Sequence, residues 1–190
     1  MGAVGGKQIK KQHRICIDDI VLEKIAAPEM KPEEAGKNLL KNGDFSNETD
    51  NWNIWGITAP GEAKADIADH AIVYHISNVG TADWNVQLKQ SGLTLEKGCK
   101  YRVTFKATST EARTIKLAIM STKYDWYGGA DIQLLANNEK DVVCEFTMSK
   151  ETDSNADFVI SMGKIDGKDT PASDITLSDF SLVKVDETTN

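Results

Sequence analysis

Along most of this chain apolar and polar residues alternate one by one, and nowhere does an apolar stripe recur at helical spacing over ten or more positions. A period of two puts successive side chains on opposite faces of a strand. The clearest runs predict strands over AIVYHIS (71–77), WNVQLKQ (84–90), YRVTFKAT (101–108), TIKLAIMS (114–121), DVVCEFTMS (141–149), DFVISMG (157–163) and DITLSDFSLVKV (174–185). Between them lie NVGTAD, EKGC, ANNEKD and DGKDTPAS, all rich in turn formers. The chain is therefore expected to be all-β, most simply a two-sheet β-sandwich of the jelly-roll kind.

The same alternation sorts the side chains. Val86 and Leu88, Ile115, Leu117 and Ile119, and Phe158, Ile160 and Met162 should face inward. Asn85, Gln87 and Lys89, Lys116 and Ala118, and Asp157, Val159 and Ser161 then face outward. If these strands share a sheet, its outer face is a row of amide, amine, carboxylate and hydroxyl groups.

The aromatic residues add to this. In NWNIWGI (51–57), alternation puts Trp52, Ile54 and Gly56 on one face and Asn53, Trp55 and Ile57 on the other, so one of the two tryptophans should be exposed. In KYDWYGG (123–129), Tyr124, Trp126 and Tyr127 crowd into what reads as a loop beside two glycines. Aromatics so placed serve as packing lids or as ligand platforms. Planar rings pack on the apolar C–H faces of sugars, while amides and charges bond the hydroxyls around each ring. The alternative is an ordinary solvated sheet face with a stray tryptophan.

Composition narrows the classes. At 190 residues the chain has room for one domain of roughly 120 to 160 residues with additions. A net charge of −7 argues against a phosphate-binding surface, hence against nucleic acid. No apolar run approaches the roughly 20 residues of a membrane-spanning helix. His13, His70 and His75 stand in no nucleophile motif, so no catalytic residues are assigned and no enzyme is expected. Cys16, Cys99 and Cys144 form no C-x-x-C pair; Cys99 and Cys144 could be bridged, but free thiols are the simpler expectation.

The two ends of the chain resemble each other. HRICIDDIVLEKI (13–25) repeats the pattern of DITLSDFSLVKV, and MGAVGGK (1–7) that of MGKIDGK (162–168). Asp19 and Asp179 stand 160 positions apart, and Met1 and Met162 stand 161 apart, about one module length. Two hairpins of similar composition could match by chance. Otherwise residues 1–25 are the closing hairpin of an upstream module, 26–36 (AAPEMKPEEAG) a linker, 37–186 the functional module and 187–190 a tail.

NLLKNGDFS and the Asn-Trp that follows it (38–52) resemble the opening of carbohydrate-binding modules of the family 4/9/22 type, above all family 4. So do W-x-V-Q-L (84–88), L-x-x-G-x-x-Y-x-V-x-F (95–105) and the closing strand with Asp179; together they span residues 37–186. HRICIDDIVLEKI also resembles the family's closing strand. The resemblance implies a jelly roll that binds single glucan or xylan chains in a groove on its concave sheet, often in tandem within secreted polysaccharide-degrading enzymes. Carried over by position, Trp52 matches the family's buried tryptophan and Trp55 a sugar-stacking aromatic. Trp126, or its neighbours Tyr124 and Tyr127, matches the second aromatic. Gln87 and Lys116 match groove-facing positions, and Asp157 and Ser161 stand where groove amides often occur. Trp84 is inward by parity, yet its place at a strand end could put it on the groove rim.

The family often holds a structural calcium away from the sugar site, and the matching residues are Asp44, Ser46 and Asp179. Calcium takes six to eight oxygens, so backbone must complete the set. The expectation is thus a non-catalytic, secreted or cell-surface module that binds β-glucan chains. Rings would stack on Trp55 and Trp126, and Gln87, Asn85, Lys116 and Asp157 would bond hydroxyls. Its partners would be polysaccharide and attached catalytic and tandem binding modules. The competing expectation is a structural spacer that buries Trp55 and Trp126 against neighbouring modules.

Overall fold

The computed structural model describes residues 36–168 and 170–185. The end-to-end repeat with its hairpin at 1–25, the linker apart from Gly36, and the tail lie outside the described residues. Among the described residues ten strands form: β1 (Asn53–Ile57), β2 (Glu62–Ala68), β3 (Ala71–Asn78), β4 (Val86–Leu95), β5 (Lys100–Ser109), β6 (Arg113–Met120), β7 (Trp126–Leu134), β8 (Lys140–Thr147), β9 (Asp153–Ser161) and β10 (Ser173–Val185). The helical content among the described residues is two three-residue 3-10 turns, Asp83–Asn85 and Ile165–Gly167.

The strands make two five-stranded antiparallel sheets, ordered β1-β4-β9-β6-β7 and β2-β3-β10-β5-β8. This is the two-sheet β-sandwich that the alternation predicts. The inward residues meet between the sheets: Val86, Leu88, Ile115, Leu117, Ile119, Phe158, Ile160 and Met162 are all fully buried. One end of the core is aromatic. Phe180 packs 5.1 Å from both Trp52 and Phe105 and edge-on to Phe158 at 5.6 Å.

Two strands differ from expectation. β2 turns Ala63, Ala65 and Ile67 inward, with Ile67 its one large apolar residue, so its alternation is faint in sequence. β7 includes the segment that reads as a loop, because its glycines are packing requirements here. A Cβ on Gly128 would stand 2.4 Å from the Phe146 ring, and one on Gly129, at φ +140°, 2.1 Å from the Leu117 carbonyl oxygen. Cys99 and Cys144 are free thiols.

Candidate functional site

β4, β9 and β6 lie side by side in the first sheet, so their outward residues line up in rungs. Gln87 stands opposite Ser161, Ser161 opposite Lys116 and Lys116 opposite Asp131. The next rung runs Lys89, Val159, Ala118, Gly129, and the third Asp157, Met120, Trp126. A polar rung and a partly apolar rung therefore flank a flat floor of small side chains. Above them opens a cavity of about 660 Å³, within the usual range for small-molecule sites. Thr58, Asp83, Trp84 and Tyr124 complete its lining.

Most of the predicted polar residues meet here. Gln87 donates through Nε2 to Ser161 Oγ at 3.0 Å, leaving its carbonyl oxygen free of that bond. Lys116 Nζ reaches Asp83 at 3.2 Å and Asp166 at 3.7 Å. Partial burial works against its charge, but Asp83, with Asp131 and Asp166 beyond it, outweighs this and holds its pKa above the usual lysine value. Lys89 Nζ bonds Asp157 at 2.5 Å. That pairing takes one oxygen of Asp157, which is 3% exposed and not part of the cavity lining; the other, Oδ1, is buried without a hydrogen-bond partner.

The aromatic residues rearrange more. Trp84 is 62% exposed and lines the cavity, because β4 starts only at Val86 and the 3-10 turn before it breaks the inward parity. The same turn buries Asn85, expected outside, to 3% exposure. Trp126 is 50% exposed and lines the cavity with Tyr124, whose backbone stands at φ +69° in the turn that Ser121 ties to Asp125. Trp55 is exposed as expected, at 74%, but does not line the cavity. A bulge between Asn53 and Gly56 intervenes. It pairs Gly56 with Gln87 and packs Ile57 against the core, the reverse of the strict alternation. Tyr127 falls at a second bulge, packs on the core and donates its hydroxyl to Asp153 at 2.7 Å.

Thr58, Asp83 and Met120 also line the cavity, and no motif marked them. Lys89, Ala118 and Val159 follow from alternation alone. Away from the cavity, the amide of Phe180 donates to the Gly43 carbonyl at 2.9 Å and brings the segments of Asp44 and Asp179 together. The Ser46 amide and hydroxyl both donate to Asp44 Oδ1 and hold that carboxyl below the usual range. Asp179 pairs with Lys106 at 3.0 Å.

Two exposed tryptophans thus border a cavity on the outer face of the first sheet. A carbohydrate binding domain family, CBM_4_9, matches residues 37–173. The chain belongs to that family. As a member it is a carbohydrate-binding module, and it shares its fold with several solved ones. A CBM4 structure matches with a TM-score of 0.61 at 20% identity, over 82% of this chain and 99% of that one. The second N-terminal cellulose-binding domain of β-1,4-glucanase C from Cellulomonas fimi matches at 0.59 and 18% identity, over 78% and 95%. The CBM22-2 xylan-binding domain from Paenibacillus barcinonensis matches at 0.50 and 12%, over 75% and 98%. No curated protein matches the chain.

Proposed function

We propose that the cavity binds one chain of a β-glucan without cleaving it, and that the module serves a secreted or cell-surface polysaccharide-degrading enzyme. The observation that carries this is that exposed Trp84 and Trp126 line one cavity together with the small side chains of Val159 and Ala118. β-Linked glucosyl rings carry their hydroxyls around the rim and C–H groups on both faces. Such rings can stack on an indole and lie close to small side chains, while their rims meet donors and acceptors. Gln87, Ser161, Lys116, Lys89 and Thr58 supply those groups, and the lysines, already paired with carboxylates, suit a neutral ligand. The cellulose- and xylan-binding domains that share the fold support a β-linked glycan.

Native affinity electrophoresis tests this against laminarin, barley mixed-linkage glucan, hydroxyethylcellulose, xylan and glucomannan. Retardation by at least one glucan is expected. Retardation by xylan alone would move the specificity, and retardation by none would favour a structural spacer.

A structural calcium belongs to the same proposal. Asp44, Ser46 and Asp179 offer two carboxylates and a hydroxyl, the hard oxygens that calcium takes. Among the described residues no cluster of three or more acidic, histidine or cysteine side chains forms a ready-made metal site. Carbonyl oxygens must complete the set, and Lys106 must leave Asp179. The ion would stabilise this end of the sandwich without touching sugar. Chelation should then lower the melting temperature and leave retardation by glucan unchanged; an identical melting curve with and without calcium would rule the site out.

A further inference from the structure

We propose that Asn85 is a positioning residue for sugar binding, a buried latch that fixes the exposed Trp84 on the cavity rim. The inference rests on Trp84 being a sugar platform, as proposed above.

Trp84, largely exposed, has little packing of its own to hold it, so its placement comes from the backbone turn that carries it. Asn85 follows it directly, and its side-chain amide ties that turn to the loop after β1. Its Oδ1 accepts from the Thr81 and Ala82 amides, each at 2.9 Å, and its Nδ2 donates to the Thr58 carbonyl at 3.0 Å and the Thr58 hydroxyl at 3.2 Å. These partners fix the amide's orientation, since a flipped group would set donor against donor and acceptor against acceptor. The Thr58 amide in turn donates to the Asn85 carbonyl at 3.0 Å. One side chain thus joins the turn before Trp84 to the loop after β1, and both Trp84 and Thr58 line the cavity.

The turn is also seated from below. The Gly163 amide donates to the Asp83 carbonyl at 3.1 Å, and a Cβ on Gly163 would stand 2.2 Å from the Ala82 carbonyl oxygen. Lys116 holds the Asp83 side chain. A platform held in place before the ligand arrives avoids the ordering cost on binding.

The test is a double-mutant cycle on the polysaccharide that retards the unaltered protein most strongly. Asn85→Ala should weaken binding by about tenfold, since Trp84 must then be ordered by the ligand. Added to Trp84→Ala it should cost only the small share that Thr58 carries, whereas added to Trp126→Ala its full effect should persist. Asn85→Asp keeps the acceptor of the Thr81 and Ala82 bonds but sets its second oxygen against the Thr58 and Ala59 carbonyls, so it should bind no better than Asn85→Ala. If Asn85→Ala fails to fold, Gly163→Ala, which pushes the same turn from the other side, should reproduce the loss and the same non-additivity with Trp84→Ala. Unchanged binding by folded Asn85→Ala, or losses that add fully to that of Trp84→Ala, would overturn the latch while leaving the cavity as the binding site. An unaltered protein retarded by no polysaccharide would instead overturn the binding site itself, and the latch with it.

Discussion

Replacing Trp84 or Trp126 with alanine should each weaken polysaccharide binding by about 30-fold, and replacing both should abolish retardation in the gel. Tryptophans at the centre of an interface are typical sites of concentrated binding energy, and a loss of about 2 kcal/mol corresponds to that factor. Both indoles stand exposed on the cavity lining, so their removal takes away a stacking face without opening the core. Each variant should therefore unfold at the same denaturant concentration as the unaltered protein. Binding that survives both substitutions would place the ligand elsewhere.

Trp52→Ala should show the opposite pattern. Trp52 is buried, stacks 5.5 Å from Phe45, lies tilted against Phe180 at 5.1 Å, and donates its indole N–H to the Asn42 carbonyl at 2.9 Å. Truncating such a residue costs about 3–5 kcal/mol. A domain of this kind has only about 5–15 kcal/mol in hand. The urea midpoint should fall steeply with little change in slope. Trp55→Ala, three positions along, should change stability by no more than about 0.5 kcal/mol because its side chain is mostly in solvent. Equal midpoints for the two variants would contradict the division of NWNIWGI into a buried and an exposed tryptophan.

That division was legible because the alternation holds from Trp52 through Trp55. After Trp55 the bulge in β1 changes the parity, and nothing in the residue types marks the spot. The same cause moves Tyr127 onto the core and leaves Trp126 at the cavity. Strands with large inward residues, such as β5 and β6, can be read directly. β2 presents mostly alanine to the core, and the glycines of β7 imitate a turn when seen without Phe146 and Leu117 above them. The outer rungs of β4, β6 and β9 follow from alternation. The exchange of Trp84 and Asn85 does not, since it depends on a 3-10 turn held by residues from three other stretches of chain, at Thr58, Lys116 and Gly163.

The most direct test of the central claim uses the four tryptophan indole N–H signals of the 15N-labelled protein. Soluble oligosaccharides released from barley mixed-linkage glucan are titrated in while these signals are followed. The signals of Trp84 and Trp126 should shift progressively and saturate together, while that of Trp52 in the core stays in place. Saturable binding that leaves both Trp84 and Trp126 unmoved would contradict a sugar site on this face of the sandwich.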